Sequence, residues 1–234
     1  MVAVARVTPP IKAPPITPQT DFGKKVRAHT RYYTADGERV PGVTTALGVL
    51  NKPQLVPWAN RLGLEGIDSR AYTSEAAAVG TLAHALIECD LKGEVPDLSD
   101  FTPAQLERAM YSVQGFREWR AMHTLEPILV EEKLVSETYQ YGGTLDCLGT
   151  LDGVLTLVDL KTSSGVYPEH VYQLGGYYGL LKEAGYNIMG ARILRIGRTK
   201  GEGTEEHTIT GQQILHGWQV FKVCLQLYRM TKKA

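Results

Sequence analysis

Three polar residues near the middle of the chain have the side chains needed for metal-assisted hydrolysis. Asp146 is followed thirteen residues later by Asp159, and Lys161 comes two residues after that. Because side chains alternate between the faces of a strand, Asp159 and Lys161 are predicted to share one face while Leu160 points into an apolar layer. Carboxylate oxygens suit Mg²⁺ or Mn²⁺, and a lysine beside a metal-bound water suits attack on a phosphodiester. The pattern predicts a metal-dependent nuclease.

Each of these residues also has a simpler interpretation. Asp146 could be a turn residue, but Asp152-Gly153 already supplies a turn signal and leaves Asp146 inside an apolar run. Asp159 is surrounded by leucine and valine, where an unpaired charge is costly unless a partner or a cation neutralises it. Lys161 could be only an ion-pair partner for Asp159. The three residues alone do not decide between these interpretations.

Two predicted helices could bring further polar groups to the same place. Gly80, His84 and Glu88 are four residues apart and therefore share a helix face. A glycine allows another segment to approach, and the histidine and carboxylate could reach a metal, although a solvent-facing polar stripe is the simpler alternative. Gln173 and Tyr177 are also four apart, so they could contact phosphate oxygens, or Tyr177 could pack with neighbouring aromatic rings.

The composition indicates a single soluble globular domain. The chain has 234 residues, of which 43% are hydrophobic and 21% charged. No apolar run approaches the roughly 18 residues that span a membrane, and prolines interrupt the start of the chain before a signal-peptide core could form. Cys89, Cys147 and Cys224 suit neither a disulfide framework nor a cysteine metal site. We therefore expect a cytoplasmic protein, in the host cytoplasm if the chain is encoded by a phage.

The charge balance gives no long-range attraction for nucleic acid. Lysine plus arginine and aspartate plus glutamate each total 25, so local patches would have to attract DNA. Two basic clusters could do so, although an ordinary solvated surface explains either almost as well. The first cluster is Arg192, Arg195, Arg198 and Lys200, and the second is Lys24, Lys25, Arg27 and Arg31.

The order of the predicted elements indicates an α/β fold. Residues 1–28 are expected to form an extended or disordered arm, and residues 29–234 a single domain with a helical elaboration at 43–124. Asp36-Gly37 predicts a hairpin turn, and Ser74 is predicted to cap a long helix. Helices are expected at 43–50, 55–68, 74–91, 103–123, 168–184 and 212–229, and strands at 127–136, 138–148, 153–161, 188–196 and 206–209. This order predicts a mixed central sheet flanked by helices.

Five segments occur in an order that resembles the PD-(D/E)xK nuclease superfamily, in its RecB-type branch, which includes phage and mitochondrial single-strand exonucleases. Residues 37–60 resemble the element that precedes the motifs in those members. Four further segments resemble the successive motifs themselves: GTLAHALIE at 80–88, GGTLDCLG at 142–149, VDLKTS at 158–163 and QLGGY at 173–177. The resemblance implies a restriction-endonuclease-like core and covers about residues 31–232.

The resemblance also implies a role for each matched residue. His84, Asp146 and Asp159 would be metal ligands, helped by the backbone carbonyl of Leu160. Glu88 would bind a second metal or orient a water, and Lys161 would position or activate the attacking water. The segments after the catalytic lysine would contact the DNA backbone through Thr162, Ser163, Gln173 and Tyr177.

The sequence departs from the family pattern in three places. Leu145, rather than proline, precedes Asp146, as is common in RecB-type members, and Gly42 stands where related sequences often have serine. The four cysteines that hold an iron-sulfur cluster in the CRISPR-associated and helicase-linked relatives are missing. We therefore expect Mg²⁺ or Mn²⁺ and no iron-sulfur cluster.

These observations favour a metal-dependent DNA exonuclease that works from single-stranded or duplex ends, in phage or cellular DNA recombination, repair or replication. The expected partners are DNA and a recombination or replication protein, without a membrane. A structure-specific endonuclease and a non-catalytic DNA-binding or assembly module on the same fold are the alternatives. An α/β hydrolase is disfavoured because no G-x-S-x-G elbow is present.

Overall fold

The computed structural model describes residues 24–25 and 31–232. Apart from residues 24–25, the predicted arm at 1–28 lies outside this range. In chain order the elements are β1 (Lys24–Lys25), β2 (Tyr32–Tyr33), β3 (Arg39–Val40), α1 (Val43–Leu47), α2 (Leu55–Leu64), α3 (Ser69–Lys92), β4 (Pro96–Asp97), α4 (Pro103–Ala121), β5 (Leu125–Ser136), β6 (Tyr141–Leu151), β7 (Val154–Lys161), α5 (Pro168–Glu183), β8 (Gly190–Ile196), β9 (Thr204–Ile209) and α6 (Gly211–Lys232).

A five-stranded mixed sheet forms the centre of the protein. Its strand order is β5-β6-β7-β8-β9, with β7 and β8 parallel and every other neighbouring pair antiparallel. The parallel pair needs a crossover connection, which α5 supplies, whereas short turns join the antiparallel strands. The predicted α/β fold, a mixed sheet flanked by helices with a helical region before it, is therefore confirmed.

The two faces of the sheet are covered by different helices. On one face, Leu157 of β7 and Ile193 of β8 pack in a cluster with Phe221 of α6. On the other face, Val158 and Leu194, the next residues along the same strands, pack in a second cluster with residues of α3 and α4. This switch between consecutive residues is the alternation expected of a strand buried on both sides. The carboxyl end of β7 therefore lies between two helical layers.

Turn chemistry explains most of the element boundaries. Gly37 has φ +86° in the predicted hairpin between β2 and β3, and Gly93 has φ +69° immediately after α3. The predicted cap at Ser74 is wrong, because α3 begins five residues earlier. There the Asp68 carboxylate accepts hydrogen bonds from the backbone N–H groups of Arg70 and Ala71, which satisfies donors that the helix leaves open.

The turn between β5 and β6 is longer than predicted. Ser136 pairs with Tyr141, so 137–140 form the turn and β6 starts three residues after the expected position at 138. Gln140 has φ +54°, a left-handed conformation that suits a turn and not a strand. At the other end, Asp152-Gly153 forms the predicted turn into β7, with φ +49° and +83°.

The unusual glycine at position 42 has a structural reason. Gly42 precedes α1 and forms a parallel β-bridge with Gly142 of β6. A Cβ atom at Gly42 would lie 2.9 Å from Cε2 of Tyr32, so a serine there would force the tyrosine ring to move.

None of the helices within residues 31–232 is long and apolar enough to cross a membrane.

Candidate active site

Asp146 and Asp159 lie where β6 and β7 separate. The regular pairing of these strands ends at Cys147 and Val158, and each aspartate is the next residue beyond that pair. Asp146 Oδ2 accepts a 2.6 Å hydrogen bond from the backbone N–H of Leu160, which ties the first carboxylate to the strand that carries the second. The structure thus brings the two aspartates together, as the spacing predicted.

Asp159 is almost completely buried and has unused acceptor capacity. Its residue is 1% exposed, and neither carboxylate oxygen accepts a directed hydrogen bond from the residues that the structure describes. Lys161 Nζ lies 2.5 Å from Asp159 Oδ2 and donates to the carbonyl of Leu160 at 3.2 Å. Burial raises the pKa of Asp159 to about 6, although the neighbouring ammonium of Lys161 opposes the rise.

This arrangement fits a bound cation. A buried carboxylate is costly unless it is fully paired, and a single ammonium on one of its two oxygens leaves the other without a partner. The adjacent Leu160 carbonyl and Asp146 carboxylate supply further oxygen atoms at the same strand ends. Hard oxygen donors of this kind suit Mg²⁺ or Mn²⁺.

His84 of α3 lies against Asp146 from the helical side. Its Nδ1 is 3.2 Å from Asp146 Oδ1 and 3.7 Å from Glu131 Oε1. Burial alone would lower the pKa of His84, but Asp146 and Glu131 raise it to about 10, so the imidazolium is favoured in this arrangement. The imidazole must therefore release a proton before it can donate an electron pair to a cation.

Glu131 of β5 joins this group and was not predicted from the sequence. One ligand atom from each of His84, Glu131 and Asp146 lies within 4.8 Å of the other two. The flanking pairs Val130 with Cys147 and Glu132 with Leu145 place Glu131 opposite Asp146. In the sequence, Glu131 and Glu132 look like an ordinary solvent-facing pair, and only the β5–β6 register distinguishes them.

The strands depart from regular alternation at this point. Leu145 and Leu148 pack with the cluster that includes Phe221, whereas Cys147 packs with the cluster on the opposite face. Residues two apart in a regular strand share a face, so β6 changes its alternation around Asp146. In β5, Glu131 has φ +48°, which is unusual for a residue with a side chain. Local distortion of both strands therefore accompanies the meeting of Glu131, Asp146 and His84.

Glu88 lies one turn after His84 on α3 and makes a different contact. Its Oε1 accepts a 2.7 Å hydrogen bond from Lys92 Nζ, and it is outside the group formed by His84, Glu131 and Asp146. Glu88 is near enough to Glu131 to contribute to the raised pKa of that residue, which has burial as its main cause. Its predicted part in metal binding stays a prediction.

The predicted substrate-binding residues occupy two places. Gln173 Nε2 donates a 2.7 Å hydrogen bond to the Tyr177 hydroxyl, so the predicted sharing of a face is observed. Burial raises the pKa of Tyr177 well above its usual value, and the negative charges of Asp159 and Asp146 raise it further. Thr162 faces α3, whereas the Ser163 hydroxyl donates to the carbonyl of Gly165 at 2.7 Å.

The first predicted basic cluster is largely used within the protein. Arg192 Nε lies 2.7 Å from Glu206, and the buried Arg195 lies 2.7 Å from Glu205, both carboxylates being on β9. Arg198 reaches α3, where its NH1 is 3.5 Å from the carbonyl of Ala76. In the second cluster Arg31 is exposed, Arg27 lies outside the described residues, and the side chains of residues 24–25 are not described.

Two basic residues near the start of α5 were not predicted. His170 is close enough to Lys161 for the ammonium to help lower its pKa to about 4, although burial is the main cause. Lys52, which precedes α2, forms a 3.2 Å ion pair with Glu169, the residue before His170 in the first turn of α5. His170 is therefore neutral at neutral pH, and both Lys161 and Lys52 help to lower its pKa.

Gly80 allows α3 to approach the end of β7. A Cβ atom at Gly80 would lie 2.8 Å from Thr162 Oγ1, closer than normal contact. Alanine usually stabilises a helix relative to glycine by roughly 0.5–1 kcal/mol. At position 80, however, the added methyl group requires Thr162 or α3 to shift, and a shift of α3 moves His84 relative to Asp146. We expect Gly80→Ala to weaken Mn²⁺ binding by about tenfold or more, as measured by calorimetry, because misplaced ligands bind poorly.

The matched control for Gly80→Ala is Gly63→Ala in α2, where a Cβ atom would meet nothing within 4 Å. This control is expected to bind Mn²⁺ like the wild type. Adding Thr162→Ala to Gly80→Ala removes the clashing oxygen and should restore part of the affinity. Wild-type affinity in Gly80→Ala would show that the close approach of α3 does not position His84.

Comparison with known proteins supports the fold. No protein-family model matches the sequence, and no curated protein matches it either. Among solved structures, the fold is similar to that of a protein from Eubacterium rectale that carries the provisional name exonuclease. The two chains are 10% identical over 66% of this chain and 68% of that chain, with a TM-score of 0.51. At this identity the comparison shows a shared fold.

Proposed function

We propose that this protein is a nuclease that uses Mg²⁺ or Mn²⁺ to hydrolyse phosphodiester bonds in DNA. The observation that carries the proposal is the buried Asp159 carboxylate, whose Oδ2 lies beside the Lys161 ammonium and whose Oδ1 has no hydrogen-bond partner among the described residues. An ionised carboxylate buried in this way destabilises the folded state. A bound cation would neutralise its charge, which gives the residue a role in catalysis. The shared fold with a chain provisionally named exonuclease is consistent with this proposal.

The proposed metal ligands are His84, Asp146, Asp159 and the backbone carbonyl of Leu160. When bound, Mg²⁺ or Mn²⁺ would polarise the scissile phosphate and lower the pKa of a coordinated water. Asp146 is oriented for this role because Leu160 N–H holds one of its oxygens while the other faces His84. The roles predicted for Glu88, ligand of a second ion or orientation of a water, remain part of the proposal.

Lys161 is the proposed positioning group for the attacking water and the phosphate. Its Nζ is held between Asp159 Oδ2 and the Leu160 carbonyl, at the end of a rigid buried strand. An ammonium fixed there can stabilise the negative charge that develops on the phosphate oxygens. Gln173, hydrogen-bonded to Tyr177, supports the opposite side of the carboxylates, and Thr162 and Ser163 follow the lysine toward the DNA backbone.

The substrate is proposed to be a DNA end, by the resemblance to RecB-type exonucleases that act on single strands. The test compares a linear single strand labelled at one end with a circular strand of the same sequence, each with Mg²⁺ or with EDTA. We expect cleavage of the linear strand with Mg²⁺, no cleavage in EDTA, and an intact circle. Efficient cutting of the circle would favour the endonuclease alternative.

A non-catalytic DNA-binding or assembly module is the alternative outcome. Calorimetric titration of the protein with Mn²⁺ distinguishes the two, because a module that has lost catalysis has no need of the cation. Failure to bind Mn²⁺ together with failure to cut either DNA would overturn the proposed activity.

A place in phage or cellular recombination, repair or replication, with a partner protein from that process, belongs to the same proposal.

A further inference from the structure

Glu131 is in a backbone conformation that needs an explanation. Its φ of +48° lies in the left-handed region, within a strand whose neighbours pair regularly with β6. Residues with side chains seldom adopt this conformation, and where they do, the strain often serves a ligand site or an active site. Within residues 31–232 the other two such residues, Gln140 and Asp152, lie in or next to hairpin turns, whereas Glu131 lies in the middle of a twelve-residue strand.

The conformation places the Glu131 carboxylate against the two proposed ligands of the metal. Its Oε1 is 3.7 Å from His84 Nδ1, and its ligand atom lies within 4.8 Å of those of His84 and Asp146. Asp159, which is buried and whose Oδ1 has no hydrogen-bond partner among the described residues, adjoins Asp146 at the same strand ends. His84, Glu131 and Asp146 therefore bring an imidazole nitrogen and two carboxylate oxygens together from three different elements, α3, β5 and β6.

The neighbouring acidic residues lack this arrangement. Glu88, which the family resemblance favours as the additional acidic ligand, has its Oε1 bonded to Lys92 at 2.7 Å and stands outside the three-residue group. Glu132 is exposed and follows Glu131 directly, so it has the same charge in almost the same chain position. Of these three glutamates, Glu131 has its carboxylate directed at both His84 and Asp146.

We propose that Glu131 is a direct ligand of the metal ion held by His84 and Asp146. The proposal rests on the proposed function, since it concerns the same metal site. It adds a carboxylate from β5 to the four ligands proposed above, and it explains why β5 is distorted opposite Asp146.

The test is calorimetric titration with Mn²⁺ of the wild-type protein, Glu131→Gln and the matched control Glu132→Gln. Glutamine keeps the shape of the side chain and removes its charge. We expect Glu131→Gln to bind Mn²⁺ at least about tenfold more weakly than the wild type, since loss of metal-site partners typically costs about 10–100-fold in affinity. Glu132→Gln is expected to bind like the wild type, and Glu88→Gln to lose less than Glu131→Gln.

The outcomes separate this inference from the proposed function. Wild-type affinity in Glu131→Gln, with normal binding by the wild type, would overturn the role of Glu131 and leave the nuclease proposal standing. No Mn²⁺ binding by the wild type would overturn the role of Glu131, and it would also overturn the proposed function if the protein fails to cut DNA as well.

If Glu131→Gln does not fold, anomalous scattering from wild-type crystals soaked in Mn²⁺ needs no variant. An ion within about 2.5 Å of a Glu131 carboxylate oxygen supports the inference. An ion bound by His84 and Asp146 with Glu131 beyond that distance overturns it.

Discussion

Replacement of Lys161 by alanine is expected to slow metal-dependent DNA cleavage by about 10²–10⁴-fold, the usual range for loss of a positioned catalytic group. The Lys161 side chain is 15% exposed and its Nζ contacts Asp159 and the Leu160 carbonyl. Lys52 does not replace this ammonium, because it is paired with Glu169. Single-turnover rates on end-labelled DNA measure the effect without interference from product release.

The control for Lys161→Ala is Lys182→Ala, in the last turn of α5, where Lys182 Nζ lies 5.8 Å from the centre of the Tyr178 ring. Both variants remove one ammonium and change the net charge equally. Lys182→Ala is expected to cleave at the wild-type rate. A Lys161→Ala rate close to the wild type would exclude Lys161 from catalysis and leave it as an ion-pair partner of Asp159.

Replacement of Asp159 by asparagine is expected to abolish cleavage and to stabilise the fold in EDTA at neutral pH. The folded protein holds the pKa of this carboxyl near 6, above its usual value of 3.8. The stability associated with this group is therefore full below its usual pKa and is lost as pH rises through about 6. Above that pH the ionised carboxylate destabilises the folded state, and asparagine removes the charge while keeping the shape.

The expected gain in unfolding free energy for Asp159→Asn is about 1–3 kcal/mol at pH 7.5, from the size of the pKa shift. Urea unfolding of both proteins in EDTA measures it, and the gain should shrink at pH 4.5, where the folded wild type is protonated at Asp159. Mn²⁺ should reverse the order, because a bound ion stabilises only the protein that binds it. A variant less stable than the wild type at pH 7.5 in EDTA would show that Asp159 is satisfied within the protein alone.

The parts of the site that follow from local spacing could be predicted from the sequence. Strand alternation places Asp159 and Lys161 on one face, and helical spacing relates Gln173 to Tyr177. These relations depend on a few consecutive residues, and the structure reproduces them. The mixed character of the sheet also followed from the element order, because parallel neighbours need a crossover connection such as a helix whereas short turns join antiparallel strands.

The parts that depend on distant pairing could not be predicted. Glu131 meets Asp146 because of the β5–β6 register, which depends on a turn at 137–140, whereas the sequence pattern predicts a strand from residue 138. Arg192 and Arg195 resembled a DNA-binding patch because their partners, Glu206 and Glu205, become neighbours only when β8 pairs with β9. The start of α3 was missed because Asp68 and Ser74 are both good caps, and local sequence does not rank them.

The most direct test of the central claim is to incubate the purified protein with end-labelled single-stranded DNA in EDTA and then add excess Mn²⁺, with Asp159→Asn treated in parallel. The account predicts no products in EDTA, rapid cleavage by the wild type once Mn²⁺ is added, and no cleavage by Asp159→Asn under either condition. Cleavage that persists in EDTA, or that Asp159→Asn carries out at the wild-type rate, would contradict a metal-dependent nuclease centred on Asp159.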